Sequence, residues 1–186
     1  MNLDERLNRI VPRLEDPAFL TNRGIGNEIG FYVFDYPPEA ELRVREAVKL
    51  IRKHFSASTK PRITEVNLLD VLVAVLKDRK AYDTVLANEA GWSGHEMKKK
   101  LAPIVRKDAV ARRIADAAGD DADITLLTGV GVAYPLIRLH EVLNNMHDKL
   151  DKRPVVTFYP GRYNMQELVL FGLLDANYYR AFRLID

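Results

Sequence analysis

Residues 124–160 decide the fold of this chain, and they read ITLLTGVGVAYPLIRLHEVLNNMHDKLDKRPVVTFYP. Ile124–Thr128 is a short apolar run without polar alternation, which is typical of a strand buried on both faces. Gly129-Val130-Gly131 interrupts the run, and Pro135 stands where a helix would begin. Apolar residues then recur at helical spacing until a second apolar run, Val155–Tyr159. Strand, glycine turn, helix and strand over this length predict one βαβ unit of a parallel sheet.

Further strands are predicted on both sides of this unit. Helical patterns lie between them, such as Lys107–Ala118, and Asn164–Leu174 is predicted to be helical in part. Five strands interleaved with helices predict an α/β fold, a single three-layer domain over residues 1–186. In this fold, helices cover both faces of a mainly parallel sheet of about five strands. The additional strand segments are Phe31–Asp35, Arg62–Val66 and Ala181–Ile185.

The composition is that of an ordinary globular protein. Apolar residues make up 47% and charged residues 29%, and the formal net charge of +2 gives no global attraction to nucleic acid or membranes. The absence of cysteine excludes disulfides, thiolate metal sites and cysteine nucleophiles. Met1–Arg6 is charged and lacks the apolar core of a signal peptide, and no apolar run is long enough to cross a bilayer. We therefore expect a cytoplasmic protein.

Motifs for catalysis and cofactor binding are incomplete. Gly24–Gly30 superficially matches a dinucleotide-binding loop, but it precedes a strand instead of following one. Phe31–Asp35 is similar to the strand that presents a magnesium-binding aspartate in nucleotide hydrolases, yet the chain has no glycine loop ending in Lys-Ser or Lys-Thr. His140 and His147 would lie about 10.5 Å apart along a helix, too far to share one metal. We expect no enzyme activity, no cofactor and no metal site.

Two segments carry groups that can bind anions. Thr128, Gly129 and Gly131 lie between a strand and a helix, where backbone N–H groups can face an anion, although a close-packing turn is the alternative. Residues 96–113 contain seven cations and two carboxylates, a net charge of +5. This segment can contact nucleic-acid phosphates, but no aromatic residues are interleaved for base stacking, and a solvated face or an acidic protein partner are alternatives. The nucleic-acid candidates are Lys98, Lys99, Lys100, Arg106, Lys107, Arg112 and Arg113.

Tyrosine and arginine cluster in the C-terminal third, a composition typical of interface anchors. The loops that follow parallel strands gather at one edge of a sheet, so Asp35-Tyr36, Thr128-Gly129 and Pro160–Arg162 are expected to share that edge. The Pro160-Gly161 turn is expected to hold the next two side chains outward, with burial of the rings in the core as the alternative. The predicted partner-binding residues are Arg162, Tyr163, Tyr178, Tyr179 and Arg180.

Several distinctive motifs occur in order along the whole chain. They are Gly26–Phe31, Phe34–Pro38, Leu126–Gly131, Tyr134-Pro135, Phe158–Gly161 and Asn177–Phe182. Together they resemble the BrxB family, a small component of BREX bacteriophage-exclusion systems. The resemblance implies a role in antiviral defence beside a site-specific DNA methyltransferase, a large ATPase and the phosphatase-like protein PglZ, and it supplies no catalytic residue set.

Three hypotheses follow from the residues and the resemblance together. The first is a non-catalytic subunit that binds another BREX protein, with PglZ as the preferred partner. The second is a nucleic-acid- or nucleotide-binding module that uses the basic segment or the Gly129–Gly131 turn, with weak and non-specific DNA contacts. The third is a hydrolase centred on Asp35. The first hypothesis accounts best for the failed catalytic motifs.

Overall fold

The computed structural model describes residues 1–21, 30–57, 61–146, 153–178 and 181–185, and of 174–178 it describes the backbone alone. The helices are α1 Leu3–Asn8, α2 Ile10–Glu15, α3 Pro17–Leu20, α4 Glu41–Ser56, α5 Leu68–Asp78, α6 Tyr82–Asn88, α7 Gly94–Leu101, α8 Lys107–Ala118, α9 Val130–Ala133 and α10 Leu139–Asn144. The strands are β1 Phe31–Tyr36, β2 Ile63–Asn67, β3 Ile124–Thr128, β4 Val155–Tyr163, β5 Glu167–Leu170, β6 Leu174–Tyr178 and β7 Phe182–Arg183. Two short 3₁₀ turns, Pro38–Ala40 and Glu89–Gly91, complete these elements.

A parallel sheet with strand order β2-β3-β4-β1-β7 forms the centre of the protein. All five strands predicted from the sequence are present, and the α/β class is confirmed. Two antiparallel strands are added beyond the prediction, because β5 pairs with the end of β4 and β6 pairs with β5. The carboxyl half of β4 therefore leaves the parallel sheet and carries a small antiparallel extension.

Alternate side chains of the central strands face two separate helical layers. Leu126 of β3 belongs to the core beneath α1–α4, whereas Leu127 belongs to the core beneath α5–α10. Every residue of β3 is buried, which explains why its sequence shows no polar alternation. The sheet is thus covered by helices on both faces, as predicted.

Local sequence signals account for the positions of the long helices. The buried stripe of α4 follows a spacing of four, three and four residues, Val44, Val48, Ile51 and Phe55. The side chain of Asn67 accepts a hydrogen bond from the backbone N–H of Leu69 at 2.9 Å and so caps α5. These two helices lie on opposite faces of the sheet.

Two helical predictions are wrong. Pro135 does not begin a helix: Gly129 adopts a left-handed conformation with φ of 72°, α9 follows it directly, and α10 begins only at Leu139. The segment 164–174 contains β5 and two tight turns instead of helix. A short apolar run has no periodicity that separates a strand from a buried helix, so pairing with β4 decides the outcome.

Gly161 lies where β4 and β5 approach too closely for a side chain. A Cβ there would overlap the carbonyl oxygen of Val169 and lie 3.1 Å from the Cα of Leu170. We expect Gly161→Ala to separate these strands and to lower the free energy of unfolding by about 2 kcal/mol, measured by denaturant titration. Gly91→Ala is the matched control, because no atom lies within 4 Å of that added Cβ. Equal stability of the two variants would contradict the described pairing of β4 with β5.

Candidate partner-binding surface

The ends of β1 and β3 meet Pro160 of β4 at one edge of the sheet, as the sequence predicts, but the expected turn at Pro160-Gly161 is wrong because β4 continues to Tyr163. Tyr36 pairs in register with Pro160, and Leu127 pairs with Thr157 one residue before the Thr128-Gly129 turn. An added Cβ on Gly131 would lie 3.1 Å from the Cγ of Pro160. The segments after β1 and β3 therefore lie beside the Pro160 region of β4, and we call this surface the carboxyl edge.

Asp35 at this edge holds three parts of the structure together. Its Oδ1 accepts a hydrogen bond from Arg6 Nη2 at 2.7 Å, and its Oδ2 accepts one from the backbone N–H of Tyr163 at 3.0 Å. Arg6 also donates to the carbonyl oxygen of Asp35 at 2.8 Å and lies 4.7 Å from the centre of the Phe34 ring. Both carboxylate oxygens have structural partners, so the arrangement ties α1 and the end of β4 to β1.

The prediction that Tyr163 faces outward is wrong. Its side chain is 1% exposed and belongs to the core beneath α5–α10. The hydroxyl donates to the carbonyl oxygen of Ala181 at 2.7 Å and accepts from the N–H of Ala181 at 2.8 Å. The ring is therefore a structural link between β4 and the chain entering β7, because side chains alternate along a strand and Arg162 takes the outward position.

The other predicted anchors have different outcomes. Arg162 is exposed, as predicted. Tyr178 ends β6, but its side chain lies outside the described residues, as do Tyr179 and Arg180 in full. The partner-binding role of these four residues stays a prediction.

An exposed apolar tip lies at the turn between β5 and β6. Leu170 and Leu173 flank the turn, and the N–H of Leu173 donates to the carbonyl oxygen of Leu170 at 3.1 Å. Phe171 and Gly172 both have positive φ, 54° and 72°, which is the conformation of a type I′ turn. Leu173 is 86% exposed and Phe171 is 36% exposed. We call residues 170–173 the arm tip.

The arm tip rests on the carboxyl edge. The N–H of Phe171 donates to the carbonyl oxygen of Pro160 at 2.9 Å. The Phe171 ring packs edge-on against Tyr134 with centroids 6.4 Å apart, and it covers the backbone of Gly131. One face of this ring is thus held by the protein, while Leu173 beside it remains open to solvent.

Sequence reasoning missed the arm tip, although a signal was present. Phe171-Gly172 is a two-residue spacer between the apolar pairs Val169-Leu170 and Leu173-Leu174, a pattern that favours a hairpin. The pattern is obscured because phenylalanine occupies the first central position, where asparagine or glycine usually permits the positive φ.

At the predicted anion site of Thr128, Gly129 and Gly131, a carboxylate of the protein already binds the Thr128 hydroxyl. The hydroxyl of Thr128 donates to Glu65 Oε1 at 2.7 Å, and Arg52 binds the other oxygen of Glu65 at 2.7 Å. The Glu65 carboxylate therefore lies where an anion on Thr128 would need to lie. An open cleft of about 240 Å³ adjoins Thr128 and Gly129. The anion site stays a prediction.

Tyr36 contributes a second carboxylate contact to the same cleft. Its hydroxyl donates to Glu41 Oε2 at 2.6 Å, and Arg45 binds the other oxygen of Glu41 at 2.7 Å. Burial, together with the hydrogen bond to Glu41, raises the pKa of Tyr36. The tyrosine therefore remains neutral and acts as a hydrogen-bond donor.

The basic segment does not form one uniform cationic face. Arg113 is turned to Asp78 on α5, with Nε 2.6 Å from Oδ2, and this contact lowers the pKa of Asp78. Arg112 lies 3.8 Å from Asp108, and Lys100 lies over the ring of Trp92 at 5.1 Å. The nucleic-acid role of these residues stays a prediction.

Three further cations of the segment, Lys98, Arg106 and Lys107, line a groove between α7, α8 and α10. Arg106 is 3.1 Å from Asp108, and Lys107 is 3.2 Å from Glu141 of α10. Within the described part of the chain, Lys98 and Lys99 form no ion pair.

Two further expectations concern metals and membranes. Within residues 1–21, 30–57, 61–146, 153–178 and 181–185, no three histidine, aspartate or glutamate side chains are grouped as a metal site would require. His147 lies outside these ranges. Across the same ranges, no helix has both the length and the apolar character needed to span a bilayer.

Comparison with known proteins places the chain among BREX proteins. Residues 64–184 match the family model described as BREX protein BrxB. A BREX protein BrxB from Bacillus cereus (strain H3081.97) is 40% identical over 189 residues, covering 99% of this chain and 98% of the relative. A second BREX protein BrxB, from Escherichia coli O9:H4 (strain HS), is 37% identical and covers 98% of this chain and 92% of its own length. No solved structure matches the chain significantly.

These similarities extend over almost the full length of both relatives and of this chain. The class is therefore that of BREX components, with the role in phage defence that this membership implies. The chain belongs to the BrxB family.

Proposed function

We propose that this chain is a non-catalytic BREX subunit that binds another BREX protein through the arm tip. The observation that carries the proposal is the exposure of Leu173, which is 86% accessible beside a partly exposed phenylalanine. The partner to be tested first is PglZ, the phosphatase-like protein that the family resemblance implies.

Backbone strain at the arm tip supports this proposal. A non-glycine residue at positive φ costs about 1 kcal/mol or more, and Phe171 adopts φ of 54°. The packing of its ring on Gly131 and Tyr134 offsets part of this cost. This packing does not explain the position of Leu173, whose side chain is exposed to solvent and lies outside the core. Two large apolar side chains on a hydrogen-bonded turn are suited to fill a pocket on a partner protein.

The arrangement of Asp35 supports the non-catalytic part of the proposal. A magnesium-binding or nucleophilic aspartate needs a free carboxylate oxygen facing a substrate. Here Arg6 and the backbone N–H of Tyr163 each take one oxygen. We therefore assign Asp35 a structural role, which argues against the hypothesis of a hydrolase centred on this residue.

We expect Leu173→Glu to weaken partner binding at least tenfold, because a carboxylate at the centre of an apolar contact would be desolvated without a partner. The measurement is calorimetric titration of the full chain into each purified BREX protein, beginning with PglZ. Since Leu173 is almost fully exposed, the variant should retain the circular-dichroism spectrum and melting temperature of the wild type.

Leu42→Glu is the matched control. Leu42 is 74% exposed on α4, on the opposite face of the sheet from α5–α10, so the same substitution there should leave the affinity unchanged. If Leu42→Glu weakens binding and Leu173→Glu does not, the arm tip is not the interface and α4 takes its place.

A further inference from the structure

A groove of about 780 Å³ opens between α7, the start of α8 and the segment leading into α10. Its lining is chemically mixed. Apolar contact is offered by Val105, Pro135 and Leu136, together with the methyl group of Ala102. Charged side chains stand among these residues, so the groove is suited to an amphipathic occupant.

The charged lining is predominantly cationic. Four cations and two carboxylates contribute, which gives the groove a net charge of +2. Arg106 lies 3.1 Å from Asp108, Lys107 lies 3.2 Å from Glu141, and Arg138 also makes an internal contact. Lys98 is exposed and forms no ion pair within the described residues, so its charge is available to a ligand. The cations are Lys98, Arg106, Lys107 and Arg138, and the carboxylates are Asp108 and Glu141.

The lining favours a protein segment over a nucleic acid. A nucleic-acid strand presents a phosphate at every nucleotide and would meet the carboxylates of Asp108 and Glu141. Among the described residues that line the groove, none has an aromatic ring on which a base could stack. An acidic protein segment can place single carboxylates against the cations and apolar side chains against Val105 and Leu136.

We propose that this groove receives an acidic, partly apolar segment of a partner protein. The proposal rests on the proposed function, in that the chain is a partner-binding subunit. It adds a second contact on the same side of the sheet as the arm tip, because Pro135 of the groove follows Tyr134, on which Phe171 packs. Lys98 supplies the charge that selects an acidic segment, and the apolar lining fixes its position.

Two adjacent lysines allow a sharp test. Lys98 lines the groove, whereas Lys99 lies one residue further along the same exposed helix and does not. Lys98→Glu and Lys99→Glu change the net charge of the protein equally. Their affinities for each purified BREX protein are compared by titration of the full chain at low and at raised salt, after nuclease treatment.

We expect Lys98→Glu to weaken the complex at least about tenfold at low salt, and Lys99→Glu to weaken it less than about twofold. Ala102→Phe, which adds a ring to the groove without changing charge, should also weaken the complex, and this loss should persist at raised salt. Normal circular-dichroism spectra show that each variant is folded.

Other outcomes overturn the proposal. An equal loss of affinity in both lysine variants indicates a diffuse electrostatic contact. A complex that dissociates on nuclease treatment indicates that nucleic acid joins the two proteins. Full affinity in all three variants shows that the groove is not used. Where the wild-type chain still binds a BREX protein after nuclease treatment, the proposed function stays in place, whereas a wild-type chain that then binds no BREX protein removes the proposed function itself.

Discussion

Tyr163→Ala is expected to destabilise the protein by about 4 kcal/mol or more. The substitution removes a fully buried ring and leaves a cavity between β4 and the chain entering β7. It also leaves the N–H and the carbonyl oxygen of buried Ala181 without their hydrogen-bond partner. Denaturant titration followed by circular dichroism measures this loss, which is large compared with the stability of a typical domain.

Tyr163→Phe measures the contribution of the hydroxyl group to stability separately from that of the ring. It retains the ring and removes the two hydrogen bonds to Ala181, so a loss of about 2 kcal/mol is expected. Tyr82→Phe is the matched control, since Tyr82 is only partly buried beneath Lys77 and should tolerate the change. If Tyr163→Ala folds with wild-type stability and loses partner binding, Tyr163 is an interface anchor and its buried position is wrong.

Asp35→Ala is expected to lower the free energy of unfolding by about 3 kcal/mol. Its carboxylate is 14% exposed and is the acceptor for Arg6, whose side chain is 17% exposed, and for the N–H of Tyr163. Removing the carboxylate leaves a largely buried guanidinium without its counter-charge and a backbone donor without its acceptor. Thermal and denaturant unfolding of the variant measure the effect.

Asp121→Ala provides the comparison for Asp35→Ala. The side chain of Asp121 is 93% exposed and lies 3.5 Å from Arg62, so its removal should change stability very little. A double-mutant cycle with Arg6→Ala should show coupling between Arg6 and Asp35. A stable Asp35→Ala variant that has lost nucleotide hydrolysis would instead restore the hydrolase hypothesis.

The parallel sheet was predictable because its signals are local. Ile124–Thr128 and Val155–Tyr159 are apolar on both faces, and only a strand between two helical layers buries both faces at once. Parallel pairing then places the ends of β1 and β3 beside Pro160 of β4 at one edge, so the position of the candidate surface followed from topology.

The antiparallel extension was not predictable from the same signals. Glu167–Leu170 is too short for its alternation to be distinguished from one turn of helix, and its pairing with β4 is a tertiary contact. The orientation of Tyr163 also depends on that contact. Composition predicted that tyrosine and arginine would both be anchors, but the alternation along β4 places Arg162 outward and Tyr163 inward.

The ion pairs of the basic segment were also not predictable from its sequence. The net charge of +5 is correct for the sequence, yet the fold turns Arg113 to Asp78 and places Lys107 beside Glu141. These carboxylates are distant in sequence from the cations they meet. The sequence of the segment alone therefore could not show which of its cations form ion pairs with distant carboxylates.

Co-purification with stoichiometric analysis tests the central claim most directly. The tagged wild-type chain is mixed with each purified BREX protein in turn, and any complex is isolated by size-exclusion chromatography and its mass measured by light scattering. The account predicts a stable complex of fixed stoichiometry with at least one of them, PglZ first, and its loss in Leu173→Glu but not in Leu42→Glu. A wild-type chain that elutes alone from every mixture would contradict the account.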